Sequence, residues 1–170
     1  MNKKTIYILV AVLVVILVVG VAGVYILMNQ GAGGANEETV NVADASSLQY
    51  NVDVTSQGTT ATYKYAAKGM GTSDLMLRID IAGGEAGDWV YILNGAEQKA
   101  WAYADGEWSE ISDAFATQWD AWNPLLEGYV DNLTQWSGTG EWTYTAGTED
   151  IRIYNIEVNP TLADSVFQAS

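Results

Sequence analysis

The chain has 170 residues, of which 21 are acidic and seven basic, with no histidine and no cysteine. That composition excludes disulfides, thiolate or imidazole metal sites, and the Ser-His-Asp and Cys-His nucleophilic schemes. A net charge of −14 argues against nucleic acid and anionic lipid headgroups as partners, because phosphate is held by Lys and Arg.

Residues 5–28 carry no charge and follow Lys3 and Lys4, and the next base is Lys64. As a helix this run is about 36 Å long, enough to cross a bilayer core of about 30 Å with some tilt. The basic pair places the N-terminus in the cytoplasm and everything after Met28 outside. Gly20-Val21-Ala22 would also suit signal cleavage, but the apolar run outlasts the roughly 7–15 residues of a signal-peptide core. The expected organisation is a retained anchor over 1–30, a Gly-rich linker over 31–42, and one extracytoplasmic β domain over 43–170. All 21 acidic residues follow residue 36, and solubility is sufficient reason for them.

The domain opens with Leu48, Tyr50, Val52 and Val54 alternating with polar residues, the period of a strand with one buried face. Gln57-Gly58 reads as a turn into a second strand, Thr59 to Ala67, which carries Tyr63 and Tyr65. Leu75, Leu77, Ile79 and Ile81 mark a third, and Gly83, Gly84 and Gly87 mark the turn after it. Trp89 to Leu93 is a fourth, with Asn94-Gly95 as a hairpin signal. Lys99 to Ala104 and Glu107 to Ser109 complete six strands too closely spaced to be parallel. The period then changes. Ile111, Phe115, Trp119 and Trp122 recur at helical spacing, with Ser112 as N-cap. Asn123-Pro124 predicts a stop and a second helix bearing Leu125, Leu126, Tyr129, Val130 and Leu133. Two strands follow, near Glu141 to Thr145 and Asp150 to Val158. The expected fold is mainly β (α+β): a curved antiparallel sheet or incomplete β-barrel with an inserted helical pair at about 112–136.

Little catalytic chemistry is written here. No glycine-rich phosphate loop or EF-hand pattern occurs. Glu107 and Glu110, near aromatics, are the one carboxylate pair that could serve a glycosidase, but solvated strand-end charges explain them more simply. A non-enzymatic protein without cofactor or metal is expected. The seven Trp and ten Tyr against two Phe are more informative, since these rings combine a large apolar face with a polar tip. Trp89, Tyr91, Trp101, Tyr103, Trp108, Phe115, Trp119, Trp122, Leu126, Tyr129 and Val130 are candidates to line or lid a ligand cavity. The plainer alternative is a filled aromatic core. A lid over a hollow predicts that truncating Trp122 costs only a few degrees of melting temperature. A plug predicts a loss of about 3–5 kcal/mol. Asn132-Leu133-Thr134 matches the N-glycosylation sequon.

The run Val90-Tyr91-Ile92-Leu93-Asn94-Gly95, with Gln98 to Tyr103 and Asp105-Gly106-Glu107-Trp108, resembles strands of LolA/LolB-like lipoprotein-carrier domains. Ile156 to Leu162 through Phe167 is similar to their closing strand and tail. The resemblance covers roughly residues 44–168. It implies an incomplete barrel whose concave face, lined by helices, takes the acyl chains of lipids or lipoproteins. The chain departs from that family in lacking a lipobox cysteine, in lacking a long helix before the first strand, and in being short. The leading functional expectation is a membrane-tethered domain binding a lipid or other apolar ligand. A structural or interaction component of the cell surface is the alternative, and glycan binding through exposed aromatics is a third.

Overall fold

A computed structural model describes residues 41–82 and 88–170. The expected anchor, residues 31–40 of the expected linker and the turn at Gly83, Gly84 and Gly87 lie outside the described residues, while the end of that linker, Asn41 and Val42, belongs to a 3-10 turn at Val42–Asp44 with Val42 buried. Among the described residues, no helix is long and apolar enough to cross a membrane.

The alternating sequence becomes eight strands: β1 (Ser47–Ser56), β2 (Thr59–Lys68), β3 (Met76–Ala82), β4 (Trp89–Asn94), β5 (Lys99–Ala104), β6 (Glu107–Glu110), β7 (Trp142–Ala146) and β8 (Glu149–Val158). They form one sheet in the order β6-β5-β4-β3-β2-β1-β8-β7. Every pairing is antiparallel. β6 and β7 are the two ends of that order and do not pair, so the sheet is open. A six-strand meander, a helical insertion and a closing hairpin are thus laid out as the sequence predicts. β1 and β2 turn at Gln57 and Gly58, both at positive φ, the geometry of the two-residue turn that matches strand twist.

Side-chain period decides the two faces. The inner face carries Leu48, Tyr50, Val52, Tyr63, Tyr65, Leu77, Ile79, Tyr91, Leu93, Ile151 and Ile153, all buried. Register aligns them in rows: Tyr50 opposes Tyr65, Tyr65 opposes Ile79, and Ile79 opposes Tyr91. The outer face carries Lys64, Arg78, Asp80 and Arg152, none of them buried.

One helix, α1 (Phe115–Leu133), closes the inner face, preceded by a 3-10 turn at Ser112–Ala114. This corrects the expected helical pair. Asn123-Pro124 ends nothing, and Pro124 sits inside a continuous 19-residue helix. The buried positions Gln118, Ala121, Trp122, Leu125, Leu126, Tyr129 and Leu133 hold one stripe across the proline. Pro124 itself is exposed, as is Asp120, whose carbonyl loses its helical donor. That carbonyl lies on the exposed side of the helix, open to solvent, so burial of the stripe outweighs the local defect. Ser112 does not cap the helix. Its hydroxyl accepts from the Ala100 amide at 3.2 Å and donates to Glu110 at 2.9 Å.

The tail covers part of the outer face. A 3-10 turn at Asp164–Phe167 brings Leu162, Val166 and Phe167 onto Ala66, Met76, Ile92, Trp101 and Trp108. Lys68 donates to the Leu162 carbonyl at 3.2 Å, Arg78 to that of Val166 at 3.1 Å, and the Trp108 indole to that of Ser170 at 3.2 Å. At the start of β1, the Ser46 amide donates to the Asn159 side chain at 2.8 Å. The Asn159 amide returns a bond to the Ser47 carbonyl at 2.9 Å.

Candidate functional site

The space between α1 and the sheet is filled by aromatic rings. Tyr50 and Tyr65 stack with centroids 5.2 Å apart. Tyr129 stands edge-on to both, at 6.0 and 5.5 Å. Trp122, fully buried, packs on Tyr91 at 5.4 Å and on Tyr63 at 6.4 Å. Its indole donates to Gln118 Oε1 at 3.3 Å. Offset and edge-on ring contacts of this kind add about 0.5–1.5 kcal/mol each beyond area burial.

The sequence-derived candidates fall into three groups. Trp89, Tyr91, Trp122, Leu126 and Tyr129 meet in the inner core. Phe115, Trp119 and Val130 are half-buried on the flanks of α1, with Phe115 and Trp119 rings 5.3 Å apart. Trp119 lies over the β4–β5 turn, where a Cβ on Gly95 would stand 2.8 Å from Trp119 Cη2 and 3.0 Å from the Leu75 carbonyl oxygen. Trp101, Tyr103 and Trp108 point to the other side of the sheet. There Trp101 and Trp108 meet the tail, and Tyr103 contacts Trp108 at 5.3 Å. Alternation makes the division unavoidable: Ala100, Ala102 and Ala104 of β5 face inward, so the aromatics between them face out. The two near-coplanar ring pairs, Tyr50–Tyr65 and Trp89–Tyr91, are buried, so neither offers a sugar-stacking platform.

The inner core also holds polar atoms without a protein partner: the hydroxyls of Tyr50, Tyr65 and Tyr91, Gln118 Nε2 and Trp142 Nε1. Burial raises the hydroxyl pKa of Tyr50, Tyr65, Tyr91 and Tyr129, and pushes Tyr63 and Tyr144 up to about 12. Burial also raises the Glu149 carboxyl, whose charge lies close enough to act on Tyr63 and Tyr129. An unpartnered buried hydroxyl costs about 1–3 kcal/mol. Tyr65→Phe should therefore raise unfolding free energy by about 1 kcal/mol, read by denaturant titration. A loss of stability instead would show that the hydroxyl holds an internal partner.

A groove of about 470 Å³ lies elsewhere, beside α1 rather than beneath it. Three segments distant in sequence build it: the 3-10 turn at Val42–Asp44 with Ala45, the β2–β3 loop, and one side of α1. Ala45, Met70, Leu75, Leu126 and Val130 supply apolar walls, and Asp44, Asn123, Glu127 and Asp131 supply polar ones. Gly69 shapes the loop. It has φ +76, and a Cβ there would meet the Asp74 carbonyl oxygen at 2.7 Å, so only glycine fits. Of the candidates, Leu126 and Val130 reach this groove. Its other members are not among the residues that the sequence pattern marks out. Their local signal was weak: Glu127 and Asp131, one helical turn apart, beside Leu126 and Val130.

Other candidate chemistry is scattered. Glu107 and Glu110 are three apart on one strand and so face opposite sides of the sheet, which does not place them across one glycosidic bond. Among the described residues, no group of three or more acidic residues could hold a metal ion. Asn132 is half-buried near the end of α1, and its amide nitrogen, the atom a glycan would take, donates to the Gly128 carbonyl at 2.9 Å. Comparison with known proteins returns no match: no family model, no curated protein and no solved structure is similar to the chain.

Proposed function

We propose that this chain is a membrane-tethered, extracytoplasmic domain that binds an apolar ligand without chemical turnover, in the groove beside α1. The observation that carries the reading is the groove itself, whose volume of about 470 Å³ lies within the range of small-molecule sites. Its apolar walls give a hydrocarbon segment somewhere to go, at about 0.8 kcal/mol per buried methylene. The uncharged run over 5–28 behind Lys3 and Lys4 supports the tether and the outward placement. The LolA/LolB-like phrases support the ligand class, with the open sheet read as an incomplete barrel around α1. The site differs from the one that resemblance implies, because aromatic rings fill the space under the helix.

A second reading, a structural or interaction component of the cell envelope, draws on that filled core and on the two sheet edges, β6 and β7. One experiment separates the two. The full chain in phosphatidylcholine nanodiscs is irradiated with a photoreactive octanol, and labelled peptides are mapped by mass spectrometry. Labelling should concentrate on 43–45, 70–75 and 123–131. Val130→Trp, which fills the groove from its rim, should cut that labelling about tenfold, the loss of about 1.4 kcal/mol of binding, while the melting temperature moves by only a few degrees. Absence of groove labelling in the wild type favours the structural reading.

A further inference from the structure

We propose that the outer face of the sheet is a peptide-binding site, that the chain's own C-terminal segment is its resident ligand, and that the same segment of a second copy is the partner it takes in trans. The segment crosses the strands in sheet order, from β1 to β6. Ser47 of β1 donates to the Pro160 carbonyl, Lys68 at the end of β2 to that of Leu162, Arg78 of β3 to that of Val166, and the Trp108 indole of β6 to that of Ser170. Between those last two contacts, β4 and β5 meet it through Ile92 and Trp101. Lys68 also pairs with Asp164. Of the five bases beyond Lys4, two, Lys68 and Arg78, hold this segment.

Donors aimed at main-chain carbonyls hold a peptide whatever its sequence, and the pockets for its side chains supply selectivity. The anchor here is Phe167, the one buried residue of 160–170. The surface beneath is apolar: Ala66 and Ile92 are buried although they lie on the outer face, and Met76, Trp101 and Trp108 adjoin them. Uncovered, such a contiguous apolar surface marks a contact site. The segment itself is lightly joined to the domain. Its backbone bonds after Pro160 stay inside it, from the Val166 amide to the Ala163 carbonyl and from the Gln168 amide to the Ser165 carbonyl, so side chains of the sheet are what hold it in place. The tail of a second copy makes the same contacts. Which tail occupies the site is then a matter of effective concentration and not of new chemistry. Exchange leaves β8 and the Ser46–Asn159 bond in place and moves only the residues after Pro160.

The test uses the full chain, held in solution by a mild detergent, and a fluorescein-labelled peptide of residues 161–170, followed by anisotropy. In the wild type the resident tail competes, and the apparent affinity falls with the fraction of chains whose site is open. Phe167→Ala in the chain loosens the resident tail and should tighten binding of the peptide about tenfold. The peptide carrying that same substitution should bind neither chain. Val166→Ala is the second, milder variant, used if Phe167→Ala in the chain fails to fold. The second copy is read by mixing two differently tagged chains at high concentration, one with Lys68→Cys and one with Asp164→Cys, in a protein that has no cysteine of its own. A short bismaleimide should join the two tags, and excess unlabelled peptide should cut that product about tenfold by competition for the site. If the folded variant takes no peptide, or takes both peptides alike, the peptide site is overturned. If the peptide binds but no mixed product forms, or the product ignores the peptide, the second copy is overturned as the partner.

Discussion

Raising the pH above 10 should unfold this domain over a narrow interval. Unfolded tyrosines ionise near pH 10, whereas Tyr50, Tyr65, Tyr91 and Tyr129 are held protonated by burial in the fold. The folded pKa values are raised, so above pH 10 the unfolded state binds fewer protons than the folded one. Stability is then fully present below pH 10 and declines as pH rises. Each such tyrosine contributes a slope of about 1.4 kcal/mol per pH unit. Four acting together approach 5–6 kcal/mol per unit, against a total stability of about 5–15 kcal/mol for a domain. Tyr63 and Tyr144, pushed up to about 12, steepen the fall until that pH. Denaturant midpoints measured from pH 8 upward should drop sharply past 10, with tyrosinate absorbance rising together with loss of the fold. Tyrosinate appearing well before unfolding would mean that water already reaches the ring cluster. Tyr65→Phe should flatten the slope by one proton.

Trp122→Ala should lower the melting temperature by more than about 10 °C. The side chain is fully buried, touches the Tyr63 and Tyr91 rings and holds Gln118. Truncation leaves a void too well walled to collapse, at about 3–5 kcal/mol, and strands the Gln118 oxygen. The consequence for melting follows from the unfolding entropy of a domain this size. Thermal melting of wild type and variant, followed by tryptophan fluorescence, checks it. A fall of only a few degrees would mean that α1 rests loosely over the sheet and that the space beneath it is open to a ligand after all.

The strands were legible because one face of each is apolar and the other polar. Leu48, Tyr50, Val52 and Val54 needed no context to be placed inward, and their partners across the sheet repeat the pattern. β5 was ambiguous for the converse reason. In Ala100-Trp101-Ala102-Tyr103-Ala104 both faces are apolar, and only the tail, some sixty residues on, determines which is covered by what. The proline misled because Pro124 is a local signal, and the stripe from Gln118 to Leu133 is a tertiary one. Propensity disfavours proline inside a helix by about 3 kcal/mol, and burial of Trp122, Leu126, Tyr129 and Leu133 exceeds that. The groove left almost no trace in the sequence, since its walls come from 43–45, 70–75 and 123–131 and no periodicity links them.

The first and last strands in chain order, β1 and β8, lie side by side, joined at the Ser46–Asn159 clasp, and this has a mechanical meaning. Because β1 and β8 run antiparallel, the entry to β1 and the exit from β8 are at the same end of their ladder, where Leu48 opposes Val158. Tension applied between residue 41 and the tail therefore loads the ladder from that end and opens it one bond at a time, like a zipper, instead of shearing all its bonds together. The bonds of Ser46 and Ser47 to Asn159, and of the Ser47 hydroxyl to the Pro160 carbonyl at 2.8 Å, are the first to bear that load. They act as a catch at the open end of the zipper, so Asn159→Ala should lower the force at which β8 peels away more than it lowers stability at rest.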